Sequence, residues 1–124
     1  MILLVVDDPL QAHVALSLLG SQFGELHRAT DAAEALCLLE QPQFSKKLGL
    51  VIAGHHSQSF GGPAFVTELR ERMPGVRVLV LGMAGESAAD YAGADVVFLP
   101  HPLNPLELVS LARKMLPIAK REVA

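Results

Sequence analysis

The chain has 124 residues, of which 51% are hydrophobic and 19% charged, with a formal net charge of −3. This length and composition predict one globular domain with a hydrophobic core and argue against disorder. The basic residues are scattered, which does not indicate nucleic-acid binding by the domain. The apolar runs are too short for a signal peptide or a membrane span, so we expect a cytoplasmic protein without membrane contact. The single cysteine, Cys37, excludes an internal disulfide and is expected on the inner face of a helix.

Strands and helices alternate along the chain, and the strands are short, continuous apolar runs. Such runs are typical of parallel strands that are buried on both faces. The predicted strands are Ile2–Val6, Glu25–Ala29, Leu48–Ala53, Val76–Leu81 and Val96–Leu99. This alternation predicts an α/β fold in which helices cover both faces of a parallel sheet through right-handed crossovers.

The first two helices have clear start signals. Asp8 can cap the first helix and Pro9 suits its first position, and Gly20 ends it. Its apolar residues recur at helical spacing: Leu10, Val14, Leu18 and Leu19. The second helix begins after Thr30 or Asp31, with Ala32, Ala35, Leu36 and Leu39 on its inner face. Pro42 is predicted to end it, and Lys46 and Lys47 to lie in a solvated loop.

The second half of the chain contains two clear helices and one weak segment. Pro63 can start the third helix and Pro105 the last one. Between the fourth and fifth strands, residues 82–95 are short and rich in alanine and glycine. This segment allows at most two helical turns, around Ser87–Tyr91, so we expect a shortened fourth helix.

Several stretches, taken together in their order and spacing, resemble the receiver domain of bacterial response regulators. They are ILLVVDDP, RATDAAEALCLLE, LVIAGHHSQSFGG, MPGVRVLVLG and GADVVFLPHPLNPLEL. The resemblance covers nearly the whole chain and implies a flavodoxin-like (CheY-like), doubly wound five-stranded parallel sheet of order 2-1-3-4-5. It also implies a single receiver-like domain over residues 1–124, alone or as the N-terminal part of a longer regulator.

The resemblance also locates a phosphorylation pocket whose chemical groups are largely missing. In this family an acidic pair and a central aspartate hold Mg²⁺, the aspartate accepts a phosphoryl group, and a hydroxyl and a lysine bind its oxygens. The matching positions are Asp7 and Asp8, Gly54, Gly82 and His101. Glycine has no nucleophile, and two adjacent acids alone are a poor magnesium site. We therefore expect a degenerate pocket with no catalytic residue and no cofactor.

The acidic pair and the histidines leave alternatives open. In the simplest interpretation Asp8 caps the first helix and Asp7 is solvated. In the alternative interpretation the two aspartates are a relic metal site. His55 and His101 follow parallel strands and can approach each other, so zinc held by them with Asp7 or Asp8 is a second hypothesis. In its wider form, a metal or small ligand is bound by His55, His56, His101 and Asp8. Adjacent side chains point in opposite directions, which makes the pair His55 and His56 a poor chelate.

A third hypothesis keeps phosphorylation but displaces the acceptor. Ser57 and Ser59 lie in the loop after the third strand and carry hydroxyl groups. Only the histidines of the same loop offer an activating base, which makes this the weakest of the hypotheses. The two main alternatives to an inert pocket are thus a metal- or small-ligand-binding sensor and a phosphoacceptor with a displaced residue.

The resemblance further implies an interaction surface built by the short fourth helix, the fifth strand and the last helix. Phe98 matches an aromatic residue that changes rotamer in the family; with glycine at position 82, we expect it to be fixed or directed to the core. The candidate surface residues are Phe98, Leu103, Leu106, Val109 and Arg113. We expect an atypical receiver in two-component-type signalling, not an enzyme, that contacts a protein partner or forms a homodimer through this surface independently of phosphorylation.

Overall fold

A five-stranded parallel sheet forms the centre of the molecule. The computed structural model describes residues 1–54, 62–82, 87–91, 93, 95–100 and 103–116. The strands are β1 (Ile2–Val6), β2 (Leu26–Ala29), β3 (Leu50–Gly54), β4 (Arg77–Leu81) and β5 (Val97–Leu99). All neighbouring strands are parallel, in the order β2-β1-β3-β4-β5, which confirms the predicted topology. The second, third, fourth and fifth strands each begin one or two residues later than predicted.

Helices connect the strands on both faces of the sheet. They are α1 (Pro9–Gly20), α2 (Ala32–Leu39), α3 (Pro42–Lys47), α4 (Gly62–Arg72) and α5 (Pro105–Met115). Between β4 and β5 the described residues form one 3-10 turn, Ala88–Tyr91, in agreement with a shortened fourth crossover helix. No helix within the described ranges is long and apolar enough to cross a bilayer.

The short helix α3 is a correction to the predicted loop around Lys46 and Lys47. Pro42 does follow the end of α2, but it also occupies the first turn of a new helix, where its fixed φ and missing N–H cost nothing. Lys46 and Lys47 lie in the last turn of α3, where positive charge is favourable beside the carbonyl end of the helix dipole. The same residue therefore separates two helices and starts the second.

The hydrophobic core consists of two layers, one on each face of the sheet. Alternation along β1 sends Leu3 and Val5 to one face and Ile2, Leu4 and Val6 to the other. The first face packs against α2 and α4, with Phe65 fully buried. The second packs against α1 and α5, which contribute small residues as well as Leu19 and Leu108. Parallel strands buried on both faces explain why the strand sequences are continuously apolar.

Two expectations about helix faces are wrong or incomplete. Cys37 is exposed and does not lie on the inner face of α2. It follows the buried Ala35 by two positions, about 200° around the helix, so it must face solvent. In α1 the buried stripe is Ala12, Ala15 and Leu19, whereas Leu10 and Val14 are exposed.

The amino-terminal edge of β4 and β5 is tied together by Arg70 of α4. Its Nη1 donates to the carbonyl oxygens of Pro74, at 3.2 Å, and Val76. Its Nη2 donates to the carbonyl oxygen of Asp95 at 2.6 Å. Asp95 has a left-handed backbone, with φ of 55°, a conformation that aspartate tolerates better than most residues. One guanidinium therefore joins the segments that lead into both strands.

Candidate functional site

The strand ends at the carboxyl edge of the sheet bring the described pocket positions together. The strand order reverses at the pair β1 and β3, and Val6 lies directly opposite Gly54. Asp7 and Asp8 continue from β1, Gly54 ends β3, and Gly82 follows β4. In open α/β sheets the crevice beside such a reversal is the usual ligand site. His55, His56, Ser57, Ser59 and His101 lie outside the described residues.

Asp8 is the N-cap of α1, as the sequence predicts. Its backbone is extended, and its Oδ2 accepts a hydrogen bond from the backbone N–H of Gln11 at 3.1 Å. Pro9 occupies the first helical turn, and Asp7 is half-buried beside the cap. In the part of the chain that the structure covers, no three acidic, histidine or cysteine side chains group closely enough to hold a metal ion.

Neighbouring side chains fill most of the space in which a side chain at position 54 would lie. A Cβ atom added there would lie 3.1 Å from Oε1 of Gln11, 3.3 Å from Cβ of Leu81 and 3.4 Å from Cγ2 of Val6. These contacts are tight, so any side chain at this position would have to displace its neighbours by a few tenths of an ångström. The Gln11 carboxamide therefore partly covers the position where the resemblance expects a carboxylate.

Gly82 is covered by the ring of Phe98. A Cβ atom at Gly82 would lie 2.4 Å from Cζ of Phe98, closer than real carbon contacts allow. The glycine is buried, and its N–H donates to the carbonyl oxygen of Leu99 at 2.8 Å, which holds it beside β5. The same ring lies 5.9 Å from that of Tyr91 and packs against the core on the α2 and α4 side. Phe98 is thus directed towards the core, as expected.

Known structures resemble this chain over almost its whole length. A two-component response regulator with a GGDEF domain is 27% identical, with a TM-score of 0.78, over 92% of this chain and 48% of that one. The receiver domain of an HD-domain protein from Pseudomonas fluorescens Pf-5 is 24% identical, with a TM-score of 0.80, over 92% of this chain and 91% of that one. That of a histidine kinase from Syntrophus aciditrophicus is 23% identical, with a TM-score of 0.76, over 99% and 94%.

The chain has the fold of CheY-like receiver domains. No family model and no curated protein matches its sequence, so the relation is carried by the solved structures. The chain spans about half of the length of the GGDEF-containing regulator that it resembles.

Two further residues lie at the site and were missed by sequence reasoning. Oε1 of Gln11 and Nε of Arg28 are buried and have no hydrogen-bond partner among the described residues. Nη2 of Arg28 donates to the carbonyl oxygen of Val6 at 3.1 Å, across from β2 to the end of β1. The sequence offers only weak signals for these residues. Gln11 is polar and follows the cap Asp8 by three positions, and Arg28 is a cation within the edge strand β2. Neither signal predicts a contact with the pocket.

The candidate interaction residues differ in how far they are exposed. Leu106 is exposed, whereas Leu103 and Val109 are partly buried against the core. Phe98 is covered on the side of Gly82 and Tyr91. Arg113 faces the segment that follows α1: its Nη2 donates to Oε1 of Gln22 at 2.6 Å, and its guanidinium carbon lies 5.7 Å from the centre of the Phe23 ring.

Proposed function

We propose that this receiver domain works without accepting phosphate, as a cytoplasmic, non-enzymatic pseudo-receiver that acts by protein–protein contact in two-component-type signalling. The observation that carries the proposal is the end of β3. Gly54 supplies no carboxylate there, and Gln11, Leu81 and Val6 approach to within 3.4 Å of the place where its side chain would begin. An acyl phosphate cannot form without a carboxylate nucleophile.

The magnesium ion that receiver domains of this kind use does not fit the residues present. Mg²⁺ requires nearly octahedral oxygen ligands, usually from carboxylates and water. The Asp8 carboxylate already accepts the capping hydrogen bond from the backbone N–H of Gln11, and Gly54 provides no side-chain oxygen. We therefore assign no step of the function to a bound divalent ion.

The covered Gly82 supports the same conclusion from the other side of the pocket. In place of a hydroxyl group that could bind a phosphoryl oxygen, the ring of Phe98 lies directly on the glycine. A ring packed between Gly82 and Tyr91 needs no phosphoryl group to draw it inward. On this proposal the surface formed by Phe98, β5 and α5 keeps a single conformation. Signalling then depends on which partner protein is bound to that surface.

A phosphorylation assay tests the proposal directly. The domain is incubated with acetyl phosphate and Mg²⁺, and separately with beryllofluoride and Mg²⁺, and is followed by intact mass and thermal melting. We expect no added mass and no melting shift, while a receiver domain with a complete pocket, run in parallel, shows both. A phosphoryl adduct would contradict the proposal, and its position would show whether Ser57 or Ser59 is a displaced acceptor.

A variant separates the missing nucleophile from the rest of the pocket. We expect Gly54→Asp alone to remain unphosphorylated, because Gly82 and His101 still lack the groups that bind a phosphoryl oxygen. Gly54→Asn is the matched control, since it has nearly the same shape without the charge. A stable phosphoryl adduct on Gly54→Asp would show that the acceptor alone was missing and would contradict this account of the pocket.

The second candidate function is a sensor of a metal ion or small polar ligand. The observation that favours it is the pair of buried polar atoms near the strand ends, Oε1 of Gln11 and Nε of Arg28, which have no partner among the residues described. Buried polar groups usually bind something, often an ordered water molecule. Zinc titration with a melting readout tests the metal version: stabilisation by zinc that is lost in His101→Ala would favour the sensor.

A further inference from the structure

A cavity at the amino-terminal edge of the sheet lies between β4, β5 and the end of α5. It measures about 420 Å³ and is partly open to solvent. Its wall is formed by Arg70, residues 74–78, residues 95–97 and Met115. Sites for small molecules usually have about 300–1,000 Å³ and combine an apolar lining with a few polar groups. We call this space the Arg77 cavity; it lies at the edge opposite Gly54 and Gly82, so the proposed function does not use it.

The apolar part of the wall comes from the starts of two strands and the end of a helix. Val76 and Val78 are buried, Met115 is half-buried, and Val97 is 37% exposed. A ligand that covers these side chains removes apolar surface from water, which is favourable whatever the charge of the ligand. The lining therefore fits an apolar ligand body, and the charged residues of the wall decide what that body carries.

Arg77 provides a cation that can donate further hydrogen bonds. Its Nη1 donates to the carbonyl oxygen of Met115 at 3.1 Å, which holds the guanidinium beside the end of α5. That carbonyl is its only polar partner among the residues that the structure describes. A guanidinium has five N–H donors in a planar fork that matches the two oxygens of a carboxylate. Arg77 can therefore bind an oxyanion without losing its bond to Met115.

Arg70 contributes positive charge to the wall and holds its shape. Three of its N–H groups donate to the carbonyl oxygens of Pro74, Val76 and Asp95. These bonds join the segments that lead into β4 and β5, so the cavity is formed before any ligand binds, which lowers the entropic cost of binding. Because most of its donors are used in this way, Arg70 acts on a ligand mainly through its charge.

A neighbouring cavity on the other side of Arg70 has the opposite charge balance. It measures about 460 Å³, and its charged wall residues are Arg70, Glu71 and Asp95. In the Arg77 cavity the charged wall residues are Arg70, Arg77 and Asp95. Two cations and one anion favour a negatively charged ligand, whereas two anions and one cation disfavour it. An anion is therefore expected in the Arg77 cavity and not in its neighbour.

We propose that the Arg77 cavity binds a small organic anion, with its carboxylate or an equivalent oxyanion on Arg77 and its apolar body against Val97 and Met115. This goes beyond the proposed function, which concerns the other edge of the sheet. The cavity contacts the start of β5 and the end of α5, two elements of the proposed interaction surface. A bound anion joins these elements to β4. Because Arg77 is exposed, binding is expected to be weak, in the millimolar range.

Amide NMR titration of the whole chain tests the charge preference with two probes that share an apolar body. Phenylacetate carries a carboxylate and 2-phenylethylammonium an ammonium group. We expect phenylacetate to cause saturable shifts at the amides of Arg77, Val97 and Met115, and the ammonium to bind at least about tenfold more weakly. Equal binding of the two probes would overturn the proposal, as would the absence of saturable shifts with phenylacetate.

A pair of variants at Val97 tests the position of the probe. Val97→Glu and Val97→Lys both remove the same apolar side chain from the wall but bring opposite charges to it, and both should fold, by circular dichroism, because Val97 is exposed. Phenylacetate should bind Val97→Glu at least about tenfold more weakly than Val97→Lys. Equal affinities would place the probe elsewhere and contradict the proposal.

Arg77→Gln tests the residue that binds the oxyanion. It should weaken phenylacetate binding at least about tenfold, because the charged fork is lost. Arg72→Gln is the matched control, since Arg72 pairs with Glu68 on the surface of α4 and does not line the cavity. It should leave the affinity unchanged. If Arg77→Gln is folded and binds phenylacetate as the wild type does, Arg77 is not the anion ligand and the proposal is wrong.

Discussion

The two edges of the sheet differ in how they use polar groups. At the amino-terminal edge, guanidinium groups hold the backbone: Arg70 reaches Pro74, Val76 and Asp95, and Arg77 donates to the carbonyl oxygen of Met115 at 3.1 Å. At the carboxyl edge, two glycines are covered by a glutamine carboxamide, by aliphatic carbons and by an aromatic ring. Among the residues described, the carboxyl edge has one such bond, from Arg28 to the carbonyl oxygen of Val6, so guanidinium–backbone bonds are concentrated at the edge opposite the pocket.

This difference indicates that the carboxyl edge is maintained by packing. A pocket that binds a metal ion and a phosphoryl group keeps charged groups close together and partly solvated, which usually destabilises the fold without its ligand. Contacts such as that between Phe98 and Gly82 have the opposite property, because they contribute to stability without a ligand. The carboxyl edge should therefore respond to changes in side-chain volume, and the amino-terminal edge to loss of hydrogen bonds.

The largest effect is expected at the amino-terminal edge. Arg70→Ala should lower the free energy of unfolding by about 2–4 kcal/mol, because carbonyl groups on two strand-entry segments lose a charged donor. Arg72→Ala is the matched control, since Arg72 pairs on the surface of the same helix with Glu68 at 2.6 Å. It should cost only about 0.3–0.5 kcal/mol. If urea unfolding shows equal losses of free energy of unfolding for both variants, the hydrogen bonds of Arg70 do not hold the two strand-entry segments together.

The next effect tests whether packing controls the carboxyl edge. Gly82→Ala should destabilise the domain by about 1–3 kcal/mol, because its Cβ would meet the Phe98 ring at 2.4 Å and force the ring out. The near-ultraviolet circular dichroism of Tyr91 and Phe98 should change with it. In a Phe98→Leu background the same substitution should cost clearly less, since the clashing ring atoms are gone. An unchanged cost in that background would show that Phe98 is not the cause.

The fold could be predicted from the sequence because its signals are local or periodic. Five continuous apolar runs predict the strands, and prolines and caps predict where helices begin. Asp8 shows this most clearly, since a cap depends only on the residues within the next turn. The predictions were wrong where one residue type is compatible with two structures. Pro42 both follows one helix and starts another, and the apolar Leu10 and Val14 lie on the outer face of α1 while small alanines are buried.

The site could be predicted only in part. The resemblance located Gly54 and Gly82 at the strand ends, and the structure places them on the same edge. Which side chains cover them could not be predicted, because the contacts depend on rotamers chosen in the folded state. Gln11 lies 43 residues from Gly54 in sequence, and the position of the Phe98 ring depends on the pairing of β4 with β5. No local pattern encodes either contact.

A smaller effect separates the capping role of Asp8 from a role in metal binding. Asp8→Ala should cost about 1 kcal/mol of stability, while Asp8→Asn should be nearly neutral, because asparagine caps helices as well as aspartate does. The two variants should also respond like the wild type to Mg²⁺ in thermal melting. If Mg²⁺ stabilises the wild type and Asp8→Asn loses that stabilisation, Asp8 is a metal ligand and the carboxyl edge contains a metal site.

The smallest effect is expected at a glycine that nothing covers. Gly20 ends α1 in a helical conformation, and a Cβ added there would meet no atom within 4 Å. Gly20→Ala should therefore raise the free energy of unfolding, by up to about 1 kcal/mol, because alanine restricts the unfolded chain and favours the helix. Measured beside Gly82→Ala, it is the same chemical change with the opposite expected sign. A loss of stability in both variants would mean that these glycines are needed for backbone reasons, and the close contact with Phe98 would then not explain the glycine at position 82.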